Sequence, residues 1–179
     1  MPPDFSSLKA TIRTVPDFPK PGVQYRDITT LLADPEALKE SVRRLADPYR
    51  DAGVTAVAGI DARGFIFGTA VAIELGVGFI PVRKAGKLPF ETLEQAYELE
   101  YGTDTLQIHA DAAGEGDVVL LVDDLIATGG TAAAAVSLLR RTGCEVVGAA
   151  FLVDLPNLGG AERIRGMGVP VTTLVAFAE

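Results

Sequence analysis

Two apolar patterns alternate along this chain. Short, nearly uninterrupted apolar runs at 54–60 (VTAVAGI), 77–82, 118–122 (VVLLV), 145–153 and 170–175 read as strands covered on both faces, since a half-exposed strand would alternate. Between them, Leu38, Val42, Leu45 and Tyr49 keep the i, i+4, i+7, i+11 spacing of one helix face. Asp34 reads as the N-cap of that helix, Pro35 as its first residue and Pro48 as the point where it kinks or ends. Further helices are predicted over 65–75, over 131–142 with Gly143 as the closing C′ glycine, and over 159–166. Strand and helix in alternation define an α/β fold, with a central, mostly parallel twisted sheet flanked by helices.

Two stretches break this rhythm. Residues 1–35 read as irregular, because PDFPKPG carries three prolines and a glycine within seven residues. Within them, PDFPKPG is followed by an extended piece at 23–29 in which Tyr25 could equally be a core anchor. From Pro89 to Gln107 the pattern turns polar: 97–101 and 105–108 read as two strands around a turn at Gly102-Thr103-Asp104. With little apolar surface to bury, this hairpin is expected to be weakly held and able to act as a lid.

Composition narrows the picture. A chain of 179 residues, 48% hydrophobic, suits one domain with a full core. The net charge of −8 argues against a nucleic-acid partner. No apolar run approaches the ~18 residues needed to span a bilayer, and MPPDFSSLKA lacks the basic start and apolar core of a signal peptide, so a cytoplasmic location is expected. One cysteine excludes an internal disulfide; Cys144 reads as a small core residue. The single histidine, His109, has no nucleophile elbow near it and reads as an exposed strand-end residue, which leaves acid-base work to carboxylates or tyrosine.

The chemistry concentrates between Val118 and Ala135. The apolar strand stops at Asp123 and Asp124, where open α/β sheets place ligand crevices. Ala127-Thr128-Gly129-Gly130-Thr131 then supplies small residues, two hydroxyls and two glycines where a helix begins, so that successive N–H groups can form an anion nest. A lone phosphate would be repelled by the acid pair. A molecule with hydroxyls or Mg²⁺ a few ångströms from its phosphate would not be, and a ribose 5-phosphate meets that description. Asp61-Ala62-Arg63-Gly64 offers a second turn with an arginine at a carboxyl end of the sheet. Arg83 to Lys87 reads as a mobile basic loop suited to pyrophosphate.

VVLLVDDLIATGGT resembles the phosphoribosyl diphosphate (PRPP) motif of the type I phosphoribosyltransferases, and PDFPKPGVQYRDIT, AGIDARGFIFG, RKAGKLP and YELEYG extend the resemblance along the whole chain to the adenine-specific branch of that family. The resemblance implies an N-terminal hood over residues 1–35, a flexible lid over 83–108, and the salvage reaction in which adenine and PRPP, with Mg²⁺, give AMP and pyrophosphate. It places the 5′-phosphate on Ala127, Thr128, Gly129, Gly130 and Thr131, and the ribose hydroxyls on Asp123 and Asp124. Pyrophosphate falls to Asp61, Ala62, Arg63, Lys84, Lys87 and Tyr101, with the Asp61-Ala62 peptide commonly cis in the family. Adenine is placed between Tyr25 and Leu125, its edge read by the backbone near Gln24 and Arg26, and Glu100 on the lid is the further catalytic candidate. Mg²⁺ is expected on the substrate's oxygens and water rather than in a protein cage, and a homodimer is expected. The rivals are a type I transferase for another base, which should lack the hood segment, and a PRPP- or purine-sensing regulator, which should carry a DNA-binding domain or a basic face. A Rossmann dinucleotide protein is disfavoured because no G-x-G-x-x-G follows a strand.

Overall fold

The computed structural model describes residues 5–99 and 101–178. The chain opens with the short helix α1 (Ser6–Thr11), the antiparallel strands β1 (Arg13–Pro16) and β2 (Gln24–Asp27), a single helical turn α2 (Thr29–Leu32) and the longer α3 (Pro35–Ala46). Pro16 therefore ends the first strand of a small hairpin, Pro19 and Pro21 occupy its connection, and the expectation that the segment is irregular is corrected. Strands of four residues with a mixed exposure pattern carry no periodic signal, yet they pair from Arg13↔Asp27 to Pro16↔Gln24, and an Arg13–Asp27 ion pair closes the base. At α3 the Asp34 carboxylate accepts N–H bonds from Glu36 and Ala37 at 3.0 and 3.1 Å, as an N-cap should. The helix stops at Ala46, and a tight turn over Asp47–Tyr49 accommodates Pro48.

The main sheet follows: β3 (Ala56–Ile60), α4 (Gly64–Leu75), β4 (Gly78–Lys84), β5 (Thr92–Leu99), β6 (Gly102–His109), β7 (Val118–Ile126), α5 (Gly130–Arg141), β8 (Glu145–Asp154), α6 (Gly160–Gly166) and β9 (Val171–Ala176). Its strand order is β5-β6-β4-β3-β7-β8-β9, parallel from β4 to β9 and antiparallel across β4, β6 and β5. One apolar layer packs α5 and α6 with the hairpin against one face; the other packs α1 to α4 against the opposite face. Cys144 lies in the first layer, with its thiol donating to the Leu139 carbonyl.

Three expectations are corrected at this edge of the sheet. Arg83 and Lys84 are the last residues of β4, not members of a loop, because β6 pairs with them at Arg83↔Gln107 and Lys84↔Leu106. Gly102-Thr103-Asp104 begins β6, paired with β5 from Gly102 onward, and so is not the turn. Nor is the hairpin short of apolar surface: Leu106 and Ile108 are fully buried, since alternation sends them into the core layer beneath α5. His109, at the end of β6, is half-buried with its ring edge-on to Phe90.

Candidate active site

The connections of β3 and β7 leave the sheet in opposite directions. From β3 the chain passes through α4 to β4 on one side, and from β7 through α5 to β8 on the other, so the crevice between their carboxyl ends is the topological switch point of the sheet. A cleft of about 260 Å³ opens there, lined by Ile60 to Arg63, Lys84, Tyr97 and the continuous run Asp123 to Ala132.

The turn between β7 and α5 is built from backbone. Gly129 has φ +79°, and as the cap of α5 it offers no side-chain hydrogen bond, so the first-turn N–H groups face the cleft without a capping partner. Behind the turn stands the start of α6. The Gly160 N–H donates to the Ala127 carbonyl at 2.9 Å, and a Cβ on Gly129 would come within 2.9 Å of the Gly160 carbonyl oxygen. Two glycines thus let a second helix start buttress the turn from outside.

The acid pair lies on β7 itself, which runs on to Ile126; alternation buries Asp124 and leaves Asp123 half-buried. Asp123 accepts the Asp124 N–H at 2.8 Å, and burial, followed by the charge of Asp124, raises the Asp123 pKa well above the ordinary carboxylate value. Gly64 allows this packing, since a Cβ there would lie 2.7 Å from an Asp123 carboxylate oxygen.

Both cations that line the cleft are matched to carboxylates, and so is Arg83 on the neighbouring strand end. The Arg63 Nε donates to Asp124 at 2.5 Å, which raises the arginine pKa, and Asp123 is a further carboxyl neighbour of the same guanidinium. Arg83 donates to Asp61 at 3.1 Å. Lys84 is paired with Asp104 and donates to the Tyr97 hydroxyl at 3.1 Å; the Asp104 bond is the main cause of its raised pKa. The Asp61–Ala62 peptide is cis, as the resemblance implied.

The structure therefore gathers Asp61, Ala62, Arg63, Lys84, Asp123, Asp124, Leu125 and Ala127 to Thr131 around one cleft. It does not bring Lys87, Tyr101, Gln24, Tyr25 or Arg26 to that wall. Lys87 is exposed in the loop after β4, and Tyr101 is 81% exposed with the Lys20 ammonium 5.9 Å from its ring centroid. Gln24 is exposed and Tyr25 packs edge-on against Phe18 at 5.1 Å. The Arg26 side chain is buried over the Phe177 ring and bonded to Thr14. Glu100 lies outside the described residues. Tyr97, Asp104 and Gly160 went unnoticed in the sequence: the first two sit in a polar run whose partner strand was misplaced, and Gly160 is one member of an unremarkable Gly-Gly pair.

Fold and cleft define a type I phosphoribosyltransferase, and the family model described as the phosphoribosyl transferase domain matches residues 28–166. Within that class the chain belongs to the adenine phosphoribosyltransferase family. It is 61% identical to the adenine phosphoribosyltransferase of Maricaulis maris over 95% of this chain and 97% of the relative. Among solved structures it superposes on the Rhodothermus marinus adenine phosphoribosyltransferase with a TM-score of 0.91 at 51% identity, covering 97% of this chain and 98% of that one. The Saccharomyces cerevisiae enzyme, solved with adenine and an imino-altritol bisphosphate, gives a TM-score of 0.88 at 36% identity over 95% and 97% of the two chains.

Proposed function

We propose that this cleft transfers the phosphoribosyl group of PRPP to adenine, and that the carrying observation is the convergence of an acid pair, a backbone anion turn and two cations at one switch point. The turn from Ala127 to Thr131 holds the 5′-phosphate, and Asp123 and Asp124 take the ribose hydroxyls. Arg63, Lys84 and the backbone at Asp61-Ala62 hold the pyrophosphate, with Lys87 and Tyr101 joining when loop and hairpin close. Adenine lies between Leu125 and Tyr25, with the backbone of Gln24 and Arg26 reading its edge. Glu100 is assigned to the base side through the family resemblance.

In the reaction the bond from ribose C1 to pyrophosphate breaks as a ring nitrogen of adenine bonds to C1 and loses its proton. Positive charge develops on the ribose, as in glycoside chemistry, and the buried Asp124 and half-buried Asp123 beside it are placed to stabilise that charge. The cations hold the departing anion. The acid pair at the ribose end is the chain's own donor set toward a divalent ion, and it fits Mg²⁺ carried in on the ribose and diphosphate oxygens of PRPP. When bound, the ion neutralises charge on the leaving group.

A homodimer is part of the same reading. The sequence of α4, GFIFGTAVAIEL, is apolar on nearly all sides, yet Ile73 is 76% and Ile66 43% exposed on one stripe of it, a surface suited to a second copy. A cytoplasmic location is part of the same reading. Among the described residues no helix is long and apolar enough to cross a membrane.

The test is AMP formation from adenine, PRPP and Mg²⁺ by the purified chain. Turnover with hypoxanthine, guanine or orotate in place of adenine, or none with any base, overturns the reading.

A further inference from the structure

Three side chains of the cleft's far wall form a closed set whose register explains why they meet. On β6, Asp104 lies opposite Tyr97 of β5, and two residues on, Leu106 lies opposite Lys84 of β4. Directly opposed residues share a face and so do residues two apart, which puts Tyr97, Asp104, Leu106 and Lys84 on one side of the sheet. Leu106 is sealed in the core; the other three form a hydrogen-bonded triangle above it. Lys84 is bonded to Asp104 and donates to the Tyr97 hydroxyl at 3.1 Å, and that hydroxyl donates to the same Asp104 oxygen at 3.2 Å. The second Asp104 oxygen accepts the Thr105 N–H at 2.8 Å, so the carboxylate is fixed at both ends.

Lys84 and Tyr97 line the cleft and Asp104 does not. The carboxylate thus stands behind the ammonium. An ammonium has three N–H groups; Asp104 and Tyr97 take two, and the third is left to point into the cleft. A surface ion pair adds little to stability. This one has a different use, because it joins the hairpin to the end of the strand that carries the leaving-group cation.

Resting on the phosphoribosyl-transfer reading, we propose that Asp104, assisted by Tyr97, is a positioning residue for the leaving-group end. It holds Lys84 with one N–H free for pyrophosphate, and makes correct seating of the β5–β6 hairpin a condition for gripping that anion. The opposite role, a carboxylate that occupies Lys84 and must be displaced by substrate, predicts tighter anion binding once it is removed.

Calorimetric titration of the full-length chain with inorganic pyrophosphate and Mg²⁺ separates the two. Asp104→Ala weakens pyrophosphate binding about tenfold, the scale of one lost charge-assisted hydrogen bond. On a Lys84→Ala background the same change adds less than about twofold, because the pair acts through the lysine. The KM for PRPP rises in parallel while the KM for adenine stays within about twofold, as expected for an interaction confined to one end of the site. Asp104→Asn, which keeps the shape and loses the charge, gives a smaller loss in the same direction and carries the test should the alanine variant fold poorly. Pyrophosphate binding that is unchanged or tighter in Asp104→Asn, or a loss that persists in full without Lys84, overturns the proposal. A wild-type chain that binds pyrophosphate but makes no AMP overturns the transfer reading alone, and one that binds no pyrophosphate overturns both.

Discussion

Gly160 gives the sharpest test of how the anion turn is held. It opens α6, and a methyl group added there would overlap the Ala127 carbonyl oxygen and sit 2.8 Å from both the Gly129 nitrogen and the Ile126 Cγ1. Gly166, at the other end of the same helix, has nothing within 4 Å of the equivalent position. Both changes to alanine gain the same intrinsic helix preference, at most ~1 kcal/mol. Their difference therefore reports the contact alone. At Gly160 the colliding atoms are mainly backbone and cannot rotate away, so overpacking costs about 1–3 kcal/mol. At roughly 3 °C per kcal/mol for a chain of this length, the Tm falls by roughly 3–9 °C. The Ala127 oxygen lies closer still than the 2.8 Å contacts, so to restore an ordinary 3.4 Å contact the turn must move by about 1 Å. Since a displacement of ~1 Å in a reacting site costs ~10²-fold, kcat/KM for PRPP drops on the order of 10²-fold, with the adenine KM unaffected. Calorimetric melting and steady-state kinetics of Gly160→Ala beside Gly166→Ala check both numbers. Equal Tm and equal PRPP kinetics in the two variants would refute the idea that α6 buttresses the turn.

Asp123→Asn should lower turnover about 10²-fold or more, as loss of a preorganised charge in a reacting site does, yet raise the Tm at neutral pH. Burial and Asp124 raise the folded-state pKa of Asp123, so the wild-type carboxyl costs nothing below the ordinary value of 3.8 and its cost grows as pH rises through the folded pKa. The stabilisation by asparagine must therefore vanish in acid, and a pH series of melting curves that shows a pH-independent gain contradicts the assignment. The Asp27 carboxyl, held by the Thr29 hydroxyl and by Arg13, is lowered to about 2. Its contribution is present above 3.8 and lost as pH falls through about 2, so carboxyl NMR should give its midpoint there rather than near 4. Ile66→Asp with Ile73→Asp should convert a particle of twice the 18.8 kDa chain mass into a monomer by light scattering; an unchanged mass moves the dimer interface elsewhere.

The sequence was most legible where one local rule decided the outcome. Val118 to Val122 read as a buried strand, and the glycines with threonines after the acid pair implied the turn that opens α5. Asp34 and Pro35 announced α3 through capping chemistry alone. Legibility ended where pairing across distance took over. The carboxylate partners of Arg63, Arg83 and Lys84 lie 61, 22 and 20 residues away, and no periodicity reports them. The hairpin was misjudged for the same reason: TLQI reads as polar until β4 lies beside it, and then its alternate residues are core. At the N-terminus a proline-dense loop concealed two strands too short to show a period.

Those two strands hydrogen-bond to each other and form no rung of the seven-stranded sheet. On the proposed reading, in which these strands border the base, base choice and donor handling are in that sense separately heritable traits of one gene product. Residues 12–28 can be grafted from a relative of different base preference without breaking a single hydrogen-bonded rung beneath the phosphate turn. A library confined to that graft would sample new bases on a constant phosphoribosyl-transfer engine.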